Sequence, residues 1–100
     1  MHRQNVEGSW FDLECAEKFC ESKHFDGRNY VSDATGSQWE HESLYRTRTG
    51  RWVKNAWSDW QGGYDTWEFV SAAEACSWLA YHDHDAAQRF FPAEFASLEV

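Results

Sequence analysis

Two glycine-containing turns divide residues 43–70 into three segments rich in strand-forming residues. The turns are Thr49-Gly50, where glycine supplies the positive φ that a tight turn requires, and Gly62-Gly63. The predicted strands are Ser43–Thr47, Arg51–Trp57 and Tyr64–Val70. The pattern predicts an antiparallel meander. The loop at Thr49-Gly50 could contain two or three residues, and the sequence does not decide between them. The two lengths would place opposite sets of side chains on the inner face of the sheet.

A helix signal follows the last predicted strand directly. Ser71-Ala72-Ala73-Glu74 is a capping box, in which the serine side chain accepts from the third helical amide and the glutamate reaches back to the serine amide. The predicted buried side of this helix is Ala75, Cys76, Leu79 and Ala80. Asp83 or Asp85 is predicted to cap a short helix over DAAQRFF, which Pro92 ends before a last turn.

The N-terminal third is predicted to contribute a helix. In FDLECAEKFCESK, Asp12 can act as the cap, and an apolar stripe at helical spacing consists of Leu13, Ala16, Phe19 and Cys20. Residues 1–8 are polar and are expected to be frayed. Tyr30-Val31 is predicted to be a short strand.

Together these elements predict an α+β fold. An N-terminal helix would precede a three- to four-stranded antiparallel meander sheet, and the C-terminal helices would pack on one face of it. One hundred residues correspond to a single domain, and the 18% aromatic content allows few side chains to fill its core. Residues 98–100 match the start of a common engineered tail and are expected to lie outside the fold.

The chain is strongly acidic, with 17 acids against 9 lysines and arginines and a net charge of −8. This charge disfavours direct binding to nucleic acid or to anionic membranes, and it favours either simple solubility or attraction to a basic protein surface. Residues 44–57 hold four bases and no acid, namely Arg46, Arg48, Arg51 and Lys54. The simplest interpretation is neutralisation by acids on neighbouring strands.

Cysteine usage predicts a cytoplasmic location. Cys15, Cys20 and Cys76 are odd in number, no signal peptide is recognisable, and reduced thiols buried at helix–sheet contacts are the expectation. No apolar run approaches the roughly 18 residues that cross a bilayer.

The sequence predicts no catalytic residue, metal site or cofactor. His82-Asp83-His84-Asp85 alternates ligand types without zinc-site spacing, and it is interpreted as a helix-linking loop. Glu40 and Glu42 flank His41, but a strand would turn both carboxylates to one face and the imidazole to the other. An enzyme would require histidine, cysteine and carboxylate groups to converge in space.

The segment NAWSDWQGGYDTWEFV holds three of the seven tryptophans. Trp52 and Trp67 are predicted to fill the core, and Trp39 and Trp60 to be partly exposed, because each indole N–H needs a partner. Exposed tryptophans beside acids are typical of protein interfaces. The leading hypothesis is a non-enzymatic domain that binds a basic surface of another protein. Its predicted contact residues are Glu40, Glu42, Asp59, Asp65, Glu68, Trp39, Trp60 and Tyr64.

The alternative hypothesis is a small-ligand-binding domain. Trp57, Trp60 and Trp67 would line its pocket, and a ligand anion would be gripped by Arg46, Arg48 or Arg51. A deep apolar concavity would favour this alternative, whereas a flat or convex acidic face would favour protein binding.

The runs ATGSQWEH, LYRT and WSDWQG resemble those of a group of small uncharacterised bacterial proteins, which share them ahead of an alanine-rich helix. The resemblance covers roughly residues 11–80 and implies a shared fold without a named activity, while the segment HDHDAAQRFF departs from the group. In size and charge the chain is also similar to phage and mobile-element inhibitors such as anti-CRISPR proteins. That similarity implies a domain that blocks a nucleic-acid-binding surface of a bacterial defence complex.

Overall fold

The computed structural model describes all 100 residues and contains eight strands and three helices. The strands are β1 (Arg3–Val6), β2 (Ser9–Asp12), β3 (Glu17–Cys20), β4 (Lys23–Phe25), β5 (Tyr30–Ser32), β6 (Glu40–Arg46), β7 (Trp52–Ser58) and β8 (Asp65–Val70). The helices are α1 (Ala72–His82), α2 (His84–Phe90) and α3 (Pro92–Ala96). The α+β class, with an antiparallel sheet and C-terminal helices, is therefore confirmed.

The central sheet has four antiparallel strands in the order β3-β6-β7-β8. Strands β6, β7 and β8 form the predicted meander, with β6 and β7 paired from Glu40 opposite Ser58 to Arg46 opposite Trp52. In the turn between them, the Thr47 amide donates to the Arg51 carbonyl at 2.8 Å. Gly50 has a φ of 90° there, the conformation for which a glycine was predicted.

Both faces of this sheet are covered near the β6–β7 turn. On the first face, which we call the helix face, the core consists of Phe19, Leu44, Trp52, Ala75, Leu79, Ala86 and Ala87. On the opposite face, which we call the hairpin face, the β1–β2 hairpin packs. The core there consists of Val6, Phe11, Tyr45 and Val53, with Trp67 and Phe69 against it. Neighbouring residues of β6 and β7 thus alternate between two cores.

The predicted N-terminal helix is wrong. FDLECAEKFCESK instead forms the end of β2, a turn, and β3. Phe11 packs beside Tyr45 on the hairpin face, whereas Phe19 packs beside Trp52 on the helix face. The turn between the two strands accounts for this difference, because β2 belongs to the hairpin that covers one face of the central sheet and β3 is itself a strand of that sheet.

Two further N-terminal expectations change with it. Asp12 does not cap a helix. Its Oδ1 accepts from the Glu14 amide at 3.0 Å within the β2–β3 turn, and from the His2 amide at 3.1 Å, which joins the residue before β1 to the end of β2. Residues 3–6, expected to be frayed, form β1. Val6 lies in the core with 1% of its surface exposed. The predicted strand at Tyr30-Val31 is present as β5.

The C-terminal helices begin where the sequence predicts. The Glu74 amide donates to Ser71 Oγ at 3.1 Å at the start of α1. The Glu74 carboxylate meets the Ser71 hydroxyl rather than the Ser71 amide. Asp83 caps α2 by accepting from the Ala86 amide at 3.1 Å, and Pro92 opens α3.

None of the three helices has the length and apolar run that crossing a membrane would need.

Candidate functional site

Five of the eight predicted contact residues gather at one end of the sheet, where β6 begins, β7 ends and β8 begins. We call this region the tryptophan end, and it consists of Trp39, Glu40, Asp59, Trp60 and Tyr64. Two serines shape the turns that carry it. Ser37 Oγ accepts from the amides of Trp39 (3.0 Å) and Glu40 (3.2 Å), and Ser58 Oγ accepts from the Trp60 amide (3.2 Å). The Asp59 amide donates to the Trp39 carbonyl at 2.8 Å and joins the two turns.

Trp39 and Trp60 pair edge to face at this end. Their ring centroids are 4.9 Å apart with an interplanar angle of 70°. Trp39 is 42% exposed and Trp60 is 60% exposed, as predicted from the sequence. Tyr64 beside them is 45% exposed. Exposed aromatic rings that lie side by side are typical of surfaces that another molecule covers.

The Gly62-Gly63 pair holds the Trp60 turn closed. Gly62 has a φ of 76°, which favours glycine. The Gly63 amide donates to the Trp60 carbonyl at 2.8 Å. A Cβ on Gly63 would lie 2.8 Å from the Trp60 carbonyl oxygen and from two atoms of Ser58, closer than real contacts allow. The turn therefore needs glycine at residue 63 for space and at residue 62 for backbone conformation.

The carboxylates of the tryptophan end, Glu40 and Asp59, have no lysine or arginine as an ion-pair partner. The Tyr64 hydroxyl donates to Glu40 Oε1 at 3.4 Å. Partial desolvation, with the negative charge of Glu40 second, raises the pKa of Tyr64. The hydroxyl thus remains a protonated donor, and it adds no negative charge of its own.

One contact at this end was not predicted from the sequence. The imidazole of His41 lies between two carboxylates, with Nδ1 2.7 Å from Glu21 Oε2 and Nε2 3.0 Å from Asp59 Oδ2. As expected for a strand, His41 faces away from Glu40 and Glu42. Its real neighbours are 20 and 18 positions distant in the chain, so no local spacing signals them.

The other three predicted acids have contacts within the fold. Glu42 and Glu68 lie on the helix face, where Lys54 Nζ is 3.9 Å from the first carboxylate and 3.3 Å from the second. Glu42 also accepts from Trp78 Nε1 at 3.0 Å. Asp65 accepts from Asn55 Nδ2 at 2.6 Å on the hairpin face. Side chains alternate along a strand, so Asp65 lies on the face opposite Glu42 and Glu68, and the predicted acids do not form one continuous surface.

The three arginines lie at the opposite end of the β6–β7 hairpin, about 20 Å from the tryptophan end by strand length. They form no ion pair with an acid. The Arg51 guanidinium lies 4.1 Å from the Phe69 ring centroid, and that of Arg46 lies 5.1 Å from the Phe90 ring centroid. Arg48 is exposed. The interpretation of cross-strand neutralisation thus holds for Lys54 and is wrong for the arginines.

The pocket of the alternative hypothesis is not assembled. Trp57 borders two shallow depressions of about 440 and 250 Å³, in company with Lys18 rather than any arginine. Trp67 packs against the hairpin-face core, and Trp60 is in neither depression. The largest concavity, of about 540 Å³, lies at the far end of the chain between α2, α3 and the last residues.

The cysteines and His82 are the remaining side chains that could carry chemistry. Cys76 is buried as expected, but Cys15 and Cys20 are exposed because the helix that would have buried them does not form. His82 Nδ1 accepts from the Ser22 amide at 3.0 Å. No group of three or more histidine, cysteine or acidic side chains lies close enough to hold a metal ion.

Comparison of the chain with protein-family models, with characterised proteins and with solved structures found no match. The resemblance to small bacterial proteins and to anti-CRISPR inhibitors stays a prediction.

Proposed function

We propose that this domain is a non-enzymatic binding protein that docks the tryptophan end on a basic surface of another protein. The observation that carries the proposal is the exposed edge-to-face pair of Trp39 and Trp60 beside carboxylates that no lysine or arginine neutralises. Tryptophan dominates interface hot spots, because a large ring loses little conformational entropy when it is covered. Flanking charge then steers the partner and fixes its orientation.

The charge distribution supports a basic partner in particular. Acidic groups occupy the tryptophan end, and Arg46, Arg48 and Arg51 occupy the other end of the same hairpin. A partner rich in lysine and arginine is therefore attracted to the first end and repelled by the second. A surface of that kind binds nucleic acid in many proteins. The narrower form of the proposal is that the domain blocks such a surface of a bacterial defence complex in the cytoplasm, as the anti-CRISPR resemblance implies.

The small-ligand alternative receives less support. The tryptophans proposed to line its pocket and the arginines proposed to bind its anion lie at opposite ends of the β6–β7 hairpin. No single ligand of modest size could therefore contact both.

The test is affinity capture from nuclease-treated bacterial lysate with variants matched for exposure and charge. Trp60→Ala is compared with Trp10→Ala, since Trp10 is also exposed (52%) but lies on the β1–β2 hairpin. Asp59→Lys is compared with Glu94→Lys, an equal charge change on α3. A protein retained by the two controls and lost by the two test variants is then purified for affinity measurements.

The expected result is a Kd raised about 30-fold or more by Trp60→Ala, and binding by the wild type that weakens with salt. Duplex DNA should compete if the narrower form holds. Equal capture by Trp60→Ala and Trp10→Ala would refute docking through the tryptophan end.

A further inference from the structure

The contact between His41 and Asp59 ties the exposed tryptophan end to a buried carboxylate. The Glu21 side chain is only 4% exposed, and both of its carboxylate oxygens have hydrogen-bond partners. Oε1 accepts from the Ser32 hydroxyl and from the Glu42 amide, both at 2.7 Å, and Oε2 faces His41 Nδ1 at 2.7 Å. Such a carboxylate cannot rotate without losing several charge-assisted hydrogen bonds, so it is a fixed point in the fold.

His41 transmits that fixed orientation outward. Its side chain is only 12% exposed, and its ring lies 5.5 Å from the Trp57 ring at 35°. One edge of the imidazole is held by Glu21, and the other is 3.0 Å from Asp59 Oδ2. The two ring nitrogens therefore face carboxylate oxygens of two different residues.

Asp59 is the point at which this chain of contacts reaches the surface. Its side chain is 59% exposed, and its amide donates to the Trp39 carbonyl. Trp60 follows it directly in the chain. Fixing the Asp59 side chain therefore fixes the backbone on which the two tryptophans meet.

We infer that His41 is the positioning residue of the tryptophan end: held by buried Glu21, it orients Asp59 and so keeps Trp60 against Trp39. The consequence for binding rests on the proposed function. A pre-arranged aromatic pair loses less entropy when a partner covers it, so loosening the pair should weaken docking without removing any contact atom.

The test measures the tryptophan end without a partner. Hydrogen exchange of the Asp59 amide and the indole N–H resonances of Trp39 and Trp60 are compared between wild type and His41→Ala. The matched control is His24→Ala, since His24 also contacts an aspartate, Asp33, but lies on the exposed β4–β5 hairpin. Asp59→Asn is a second test variant that leaves the buried Glu21 contacts intact and so remains folded.

We expect His41→Ala and Asp59→Asn to lower the protection of the Asp59 amide at least tenfold and to shift both indole resonances. His24→Ala should leave them unchanged. Folded variants whose Asp59 protection stays within twofold of wild type would overturn the inference. This experiment and the capture experiment can fail separately. If His41→Ala leaves the turn unmoved while Trp60→Ala abolishes binding, only the positioning role is overturned. If His41→Ala loosens the turn while Trp60→Ala binds normally, only the proposed function is overturned.

Discussion

The Phe69 backbone amide donates a 2.7 Å hydrogen bond to a carboxylate oxygen of Glu7, which lies 62 positions earlier in the chain. Phe69 belongs to β8, an edge strand of the central sheet. Glu7 lies in the β1–β2 turn with a φ of 45°. An edge amide left open could pair with a strand of another molecule, and the N-terminal hairpin occupies this one.

Glu7→Ala should therefore destabilise the domain and promote self-association. Loss of one charge-assisted hydrogen bond is expected to lower the free energy of unfolding by about 1 kcal/mol. Urea denaturation and sedimentation velocity measure the two effects. The matched control is Glu14→Ala, which removes a surface carboxylate paired only with the N-terminal amine and should change stability little. Equal behaviour of the two variants would contradict the edge-protecting role.

Gly63→Ala should disrupt the Trp60 turn, because the added methyl would lie 2.8 Å from three heavy atoms, two of them backbone oxygens. Gly62→Ala is the comparison, since its Cβ meets no atom and its positive φ costs about 1 kcal/mol. In Gly63→Ala we expect the fluorescence of the exposed indoles to change while the rest of the sheet stays folded. Were Gly62→Ala to perturb them equally, close approach at residue 63 would not be the constraint.

His82 should make the free energy of unfolding depend on pH. Burial, its largest cause, lowers the pKa of His82 below the ordinary value of 6.5, against the opposing charges of Glu42, Glu21 and Asp33. The unfolded chain thus binds the proton more readily. The stability that neutral His82 contributes is complete above pH 6.5 and is lost as pH falls through the lower pKa of the folded state.

His82→Asn should flatten that dependence, because an amide oxygen can accept from the Ser22 amide without taking up a proton. The measurement is the free energy of unfolding in urea between pH 7.5 and pH 5. His84→Asn serves as the control, since His84 is exposed and contacts Phe95. A slope in His82→Asn as steep as in the wild type would assign the pH dependence to other groups.

Lys54→Met should weaken the helix face more than an ordinary surface change. Its ammonium lies near the carboxylates of both Glu42 and Glu68, and Glu42 is largely shielded from water. We expect a loss of about 1 kcal/mol in the free energy of unfolding, smaller at high salt. Lys23→Met, on the exposed β4–β5 hairpin, is the control. A loss that did not shrink with salt would point to side-chain packing rather than charge.

The parts of the fold that the sequence predicts are those set by local chemistry. The Ser71 cap, the Gly50 turn and the Pro92 helix start each depend on neighbours within a few positions. The N-terminal segment could not be predicted in this way. Its apolar spacing fits a helix, but Phe11 and Phe19 are drawn to opposite faces of a sheet that forms much later in the chain.

In the candidate site, too, some features can be predicted from the sequence and others depend on tertiary structure. Trp39 and Trp60 were expected at the surface because a small core cannot satisfy every indole. The contacts of Glu42 and Glu68 with Lys54 are set by strand register, which depends on a loop length that the sequence leaves open. Glu21 was missed because only tertiary structure brings it to His41.

Because side chains alternate along β6 and β7, this small domain has two separate hydrophobic cores. Leu44 and Trp52 belong to the helix-face core, and their neighbours Tyr45 and Val53 belong to the hairpin-face core, with no residue in common. The two layers are connected through the backbones of β6, β7 and β8, since Val70 packs against the first core and Trp67 and Phe69 pack against the second. Damage to the N-terminal hairpin should therefore leave the helices docked, and the domain would melt in two stages that Trp67 and Trp52 report separately.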